Sequence, residues 1–141
     1  MDTYTVDLKK DQVLCREGDR ETDLYIVLAG SLLICVRKGT QVTAVATLAK
    51  GEFMGELSFF DNLPRGADVI ASEETRLLRI PASEIRASFP FWISIVGKQL
   101  ASKIRLHDDV IRQKGVKKSK VETIKPLSIE EQRHYNKLLS N

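Results

Sequence analysis

The chain has 141 residues, 43% of them hydrophobic, with 22 Lys and Arg against 19 Asp and Glu, which suits one domain built on a single core. Its longest apolar stretch, Leu24 to Val36, is broken by Gly30 and Ser31 and falls short of the roughly 18 residues that a membrane-spanning helix needs. The opening residues Met1 to Val6 have neither the basic stretch nor the apolar run of a secretory signal, so the expectation is a cytoplasmic protein.

From Val13 to Ile80 the sequence is a succession of short apolar or alternating runs separated by glycine-containing turns, the pattern of an all-β sandwich or barrel. The predicted strands are Val13 to Arg16, Leu24 to Leu28, Ser31 to Arg37, Val42 to Leu48, Ala67 to Ala71 and Thr75 to Pro81. Gly18-Asp19, Gly30-Ser31, Gly39-Thr40 and Gly51-Glu52 supply the residues that tight antiparallel connections demand. After Pro81 the pattern turns helical. Ala82 to Ile85 reads as a short capped helix, and from Phe91 to about Arg112 the residues Trp92, Ile93, Val96, Leu100, Ile104 and Ile111 fit one helical face.

That face has two readings. It either packs on the β-structure, with Trp92 as the anchor, or forms a dimer seam through Val96, Leu100, Ile104, His107 and Ile111. The glycine- and lysine-containing stretch from 114 to 120 reads as a solvated linker. Ser128 with Glu131 three residues on is a capping box for a last helix to about Leu139. The expected organisation is therefore residues 1–113 as the main domain and 114–141 as a basic linker with a short terminal helix.

From Arg112 onward eight basic residues face three acidic ones, a net of +5, which leaves −2 for the remainder. A near-neutral body with a basic tail argues against a broad nucleic-acid-binding face. Two cysteines, Cys15 and Cys35, lie in separate apolar runs without Cys-x-x-Cys spacing and read as reduced, buried thiols. The two histidines, His107 and His134, lie far apart with no second histidine at ligand spacing, so no metal site is expected.

The chemistry concentrates between Gly51 and Val69. Gly55 precedes a short helix start, whose exposed backbone N–H groups favour an anion. Arg65 brings a permanent, fork-shaped cation nine residues after Glu56, and Pro64 places it at the mouth of the next strand. A carboxylate such as Glu56 beside a phosphate is repulsive unless it accepts hydrogen bonds from the same ligand, as a ribose hydroxyl would offer. The plainer alternatives are that Arg65 only pairs with Glu56, Asp61 or Asp68, and that Glu56 only caps a helix. Strand alternation turns Asp68 away from Ala67's side, and Phe53, Phe59 and Phe60 read as packing residues.

Gly55-Glu56-Leu57-Ser58 followed by Pro64-Arg65-Gly66-Ala67 resembles the phosphate-binding cassette of the cyclic-nucleotide-binding domain family, the ligand-binding domain type of catabolite activator protein and kinase regulatory subunits. Arg16 to Asp19 and Leu24 to Leu32 resemble the family's first strands and turns, and the likeness covers about residues 8 to 112. The resemblance implies a mainly β fold with flanking helices: an antiparallel, jelly-roll-like β-roll with a phosphate-binding cassette and a long C-terminal helix as lid. It implies that Glu56 accepts the ribose 2′-hydroxyl, that Arg65 pairs with the phosphate, and that backbone N–H groups around Leu57, Ser58, Gly66 and Ala67 complete the shell. Gly55 allows close backbone approach, and His107 and Asp108 fall near the positions that reach the base.

Gly66 departs from the common Ala, Ser or Thr after the arginine; the missing threonine hydroxyl leans toward cyclic AMP over cyclic GMP. The implied function is a stand-alone, non-catalytic cyclic mononucleotide sensor with no cofactor, acting on an effector protein and dimerising through the long helix. The alternative is a nucleotide-independent interaction adaptor on a degenerate fold. No DNA-reading domain is expected from the length after the long helix, and no nucleophile with a neighbouring base points to an enzyme.

Overall fold

The computed structural model describes residues 4–114, with side chains to 109, and 125–141. Residues 115–120 of the expected linker and the side chain of Ile111 therefore lie outside the described residues, and Lys114, expected to open the linker, ends a helix instead. Eight strands form two antiparallel sheets of four. In chain order the strands are β1 (Tyr4–Leu8), β2 (Val13–Cys15), β3 (Leu24–Ala29), β4 (Leu32–Lys38), β5 (Gln41–Leu48), β6 (Phe53–Met54), β7 (Asp68–Ala71) and β8 (Thr75–Ile80). One sheet runs β1-β8-β3-β6 and the other β2-β7-β4-β5. The helices are α1 (Glu56–Asp61), α2 (Ala82–Ile85), α3 (Phe91–Lys114) and α4 (Ile129–Leu139), with a 3₁₀ turn over Arg86–Ser88.

The roll closes because alternating residues of both sheets meet in one interior: Leu8, Tyr25, Val27, Leu32, Met54, Val69 and Leu77 with Cys15 and Ala71, the period-two patterning of facing sheets. Two strands are absent from the expected set. β1 alternates Val6 and Leu8 with Thr5 and Asp7 and pairs with β8 from Tyr4↔Arg79 to Leu8↔Thr75; β6 is two residues long, too short for a period, and pairs through Tyr25↔Met54 and Ile26↔Phe53.

β7 is buried on both faces. Val69 and Ala71 enter the interior, while Ile70 joins Cys35, Val42 and Leu139 in a second apolar cluster. Leu139 belongs to α4, which packs on β5. The capping box is present, with Ser128 Oγ accepting from the Glu131 N–H and the Glu131 carboxylate accepting from the Ser128 N–H, both at 3.1 Å. Arg16 closes the other end by donating to the carbonyls of Leu139 and Asn141. Burying one leucine side chain contributes about 2 kcal/mol, so the terminal helix is tied to the roll by apolar contact as well as by caps.

Both cysteines are free and buried. Burial pushes each thiol up to about 12 from an ordinary 9.0, with the Asp68 carboxylate adding at Cys35. The folded state therefore keeps protons that the unfolded chain releases. That part of the stability is complete below pH 9 and is lost as pH rises toward 12. Urea denaturation at pH 8 and pH 10 should show a lower midpoint at pH 10, and iodoacetamide at pH 8 should label both thiols only after unfolding.

Candidate nucleotide-binding cleft

Between the two sheets opens a cleft of about 630 Å³, within the range of small-ligand sites. One wall is apolar, from Ile34 and Val36 of β4, Val45, Ala46 and Leu48 of β5, and Phe53. The opposite side is the segment from Gly55 to Ala67, and α3 borders the opening with Arg105, Asp108 and Asp109. Phe53, expected as packing, is half-exposed at this border. It occupies a two-residue strand at the sheet edge, where one side of the chain has no neighbour to cover it.

Gly55 turns the chain from β6 into α1 at φ +93°. A Cβ there would lie 2.3 Å from Arg65 Nη1 and 2.7 Å from the Asp23 carbonyl, so both the backbone and the space require glycine. It is the N-cap of α1 and provides no side-chain cap. At the far end of α1, Arg86 donates to the carbonyls of Phe59 and Ser58 and its guanidinium lies 5.6 Å from the Phe59 ring centroid. Phe59 also meets Phe60 and Phe89 edge-on. α1 is thereby clamped with its first turn toward the cleft.

The loop after α1 is pinned by its backbone. Gly18 donates to the Arg65 carbonyl and Arg65 donates to the Asp19 carbonyl, both at 2.8 Å. The Arg65 side chain turns inward and is 4% exposed. Nη1 donates to the Gly55 carbonyl at 3.1 Å, and Nη2 donates to the Asp23 carbonyl at 2.6 Å and to Glu21 Oε2 at 2.7 Å. Its ion-pair partner is thus Glu21, and not Glu56, Asp61 or Asp68. Nε is buried and has no hydrogen-bond partner among the described residues. A buried donor left unsatisfied is costly, and here it belongs to a cation that borders an open cleft.

Asp68 stands behind this loop with no exposure. It accepts from the Glu17 N–H at 2.9 Å and from Arg37 Nε at 2.9 Å. It does not line the cleft, because strand alternation puts Asp68 on the outer face and Val69 on the inner one. Asp23, whose carbonyl serves Arg65, is fixed by Arg79 and by the Ala82 N–H.

All seven cassette positions, Gly55, Glu56, Leu57, Ser58, Arg65, Gly66 and Ala67, line the cleft, and so does Asp108. Glu56 is exposed, and no side-chain hydrogen bond or ion pair holds it among the described residues. His107 does not line the cleft and is exposed on α3. Arg105 and Asp109 line it instead. Their signal was present in the sequence: Gly97, Ala101 and Arg105 recur every four residues, a narrow stripe of small residues ending in a cation. Among the described residues no group of three or more His, Cys, Asp or Glu could hold a metal ion.

The sequence pattern of the cyclic nucleotide-binding domain matches residues 5–89. The chain belongs to that family. The solved structure of the EAL enzyme Bd1971 in its cAMP-bound form superposes on the domain with a TM-score of 0.69 at 27% identity, covering 79% of this chain and 30% of that one. The regulatory domain of Toxoplasma gondii PKA with cAMP shares the fold, with a TM-score of 0.60 at 22% identity over 73% of this chain and 39% of that one. Among curated proteins, the cyclic AMP receptor protein of Thermus thermophilus is 37% identical over 65 residues, 45% of this chain and 30% of that protein. Lysophospholipase nte1 of Aspergillus fumigatus is 29% identical over 119 residues, 81% of this chain and 8% of that protein. The chain thus spans only a small part of the length of these relatives. No described helix is long and apolar enough to cross a membrane.

Proposed function

We propose that the domain is a non-catalytic cytoplasmic sensor of a cyclic mononucleotide, cyclic AMP in preference to cyclic GMP, whose output is a change in the position of α3. The observation that carries this reading is the orphaned Arg65 Nε at a cleft that also offers the unpaired Glu56 carboxylate. A phosphate oxygen is the acceptor that Nε lacks, and a ribose hydroxyl is the donor that Glu56 lacks. Gly55, Leu57, Ser58, Gly66 and Ala67 complete the phosphate site through the start of α1 and the facing loop. Asp108, which lines the cleft from α3, takes the role at the base; His107, its neighbour, lies off the lining. The preference for cyclic AMP rests on Gly66 and Ala67, which carry no hydroxyl.

Calorimetric titration of both nucleotides into unfolded, ligand-stripped and refolded protein tests this reading. Saturable binding at micromolar affinity or tighter, with cyclic AMP the stronger, is the expected result. Absence of heat and of thermal shift with either nucleotide would leave the roll as an interaction adaptor.

The output we propose passes through a dimer. Trp92, expected to anchor α3 to the roll, is 65% exposed, and Val96, Leu100 and Ile104 are exposed with it. The buried face of α3 is the adjacent stripe of Gly97 and Ala101, where the Phe60 ring fills the space that a Cβ on residue 97 would occupy. An apolar stripe at four-residue spacing on the outer side of a helix suits a second copy of the same helix. Leu100→Glu with Ile104→Glu should convert a dimer to a monomer in sedimentation equilibrium while the thermal midpoint of the roll stays near that of the unaltered chain. A monomer before substitution would remove the seam from the reading.

A further inference from the structure

Arg105 is the cleft-lining cation that the cassette leaves unexplained. It lies one helical turn beyond Ala101 and two beyond Gly97, the residues by which α3 rests on α1. Nε and Nη2 of Arg105 donate to the Asp61 carboxylate, and Nη2 also approaches Ser58 Oγ at 3.3 Å. None of these bonds uses Nη1, which is directed at the cassette loop: it lies 3.2 Å from where a Cβ on residue 66 would stand. Gly66 is not in the left-handed region, so its backbone does not demand glycine. The missing side chain instead lets the guanidinium of α3 come close to the loop, where a Cβ would press on it. Arg105 thus meets the cassette at Ser58 and Gly66 from α3, and Arg65 lines the same cleft from the cassette itself.

We propose that Arg105 is a second phosphate-binding group of the site, a guanidinium on α3 that takes the ligand's phosphate together with Arg65. Asp61 holds it in place before the ligand arrives and competes with the phosphate for its donors. This rests on the nucleotide reading above and goes beyond it. The phosphate would be bonded from the cassette and from α3 at once, so filling the site acts on the helix directly through the anion as well as through the base. Asp61 then has two opposed effects: it orients the cation, and its own charge repels the phosphate.

The test is calorimetric titration of cyclic AMP into the full chain, the Arg105→Gln variant and the Asp61→Asn variant, each at low and moderate salt, with a thermal melt of each protein. Asparagine at 61 keeps the Oδ1 that accepts the Leu63 N–H, so the loop retains its turn. We expect Arg105→Gln to weaken binding about tenfold and to flatten its salt dependence, and Asp61→Asn to bind as tightly as the unaltered chain or more tightly. An affinity of Arg105→Gln within about twofold of the unaltered chain would overturn the inference, at the precision of such measurements. So would equal weakening by both substitutions with melting temperatures falling in step, the behaviour of a clasp that only holds α3 to α1. Failure of the unaltered chain to bind either nucleotide would remove the nucleotide reading itself, whereas binding that ignores Arg105 would remove this inference alone.

Discussion

Replacing Arg65 with alanine is expected to lower the affinity for cyclic AMP by at least about 100-fold, the loss that follows removal of one partner from a buried charge pair. The effect is large because the guanidinium is already desolvated and three acceptors hold it in place. Little ordering remains to be done when an anion arrives. Stability should fall as well, by about 1 to 3 kcal/mol, because the carbonyls of Gly55 and Asp23 lose their donor; Glu21 is partly exposed and rehydrates. Arg65→Lys separates charge from shape: an ammonium cannot serve two carbonyls, a carboxylate and a phosphate together, so its affinity should fall between the two. Titration calorimetry on refolded protein, with a thermal melt of each variant, measures both effects, and unchanged affinity in Arg65→Ala would sink the assignment.

Asp68→Ala is expected to cost about 3 kcal/mol of stability and to lower the melting temperature on the order of 10 °C for a domain of this size. The carboxylate is wholly buried and bonds two segments, the Glu17 N–H and the Arg37 guanidinium. Its loss removes the acceptor that two part-buried donors share, beside the loop whose Gly18 and Asp19 hold the backbone of Arg65. Affinity for cyclic AMP should therefore decline by a smaller factor than in Arg65→Ala. Asp68→Asn keeps an acceptor for the Glu17 N–H and should cost less. Urea midpoints at pH 7 check the order, and equal stability of Asp68→Ala and the unaltered chain would overturn it.

Much of this was legible in the chain. Gly55 and Arg65 are visible because a positive-φ turn into a helix and a permanent cation beside it are local features, and spacing alone brings them together. The capping box at Ser128 and Glu131 is legible for the same reason: its two hydrogen bonds span three residues. β6 is not legible, since two residues have no period, and β1 shows only the short alternation of Val6 and Leu8 with Thr5 and Asp7. On α3 the bulkier stripe is the stronger signal in the sequence, but close packing rewards fit over size. Gly97 and Ala101 admit the Phe60 ring and α1 where Trp92 and Leu100 would hold them off.

Strand periods, turn glycines, the capping box of α4 and the cassette can be read along the chain, because each depends on backbone preferences and side-chain alternation over a few residues; the cap expected on α2 is absent, since Pro81 stands at its N-cap and has no side-chain acceptor. Tertiary structure alone decided that Arg65 pairs with Glu21, that α4 returns to cover Cys35 and Ile70, and that Arg105 in place of His107 faces the cleft. These contacts join residues far apart in the chain. Which carboxylate meets which guanidinium depends on how loops and helices pack in space, and local propensity carries no record of that.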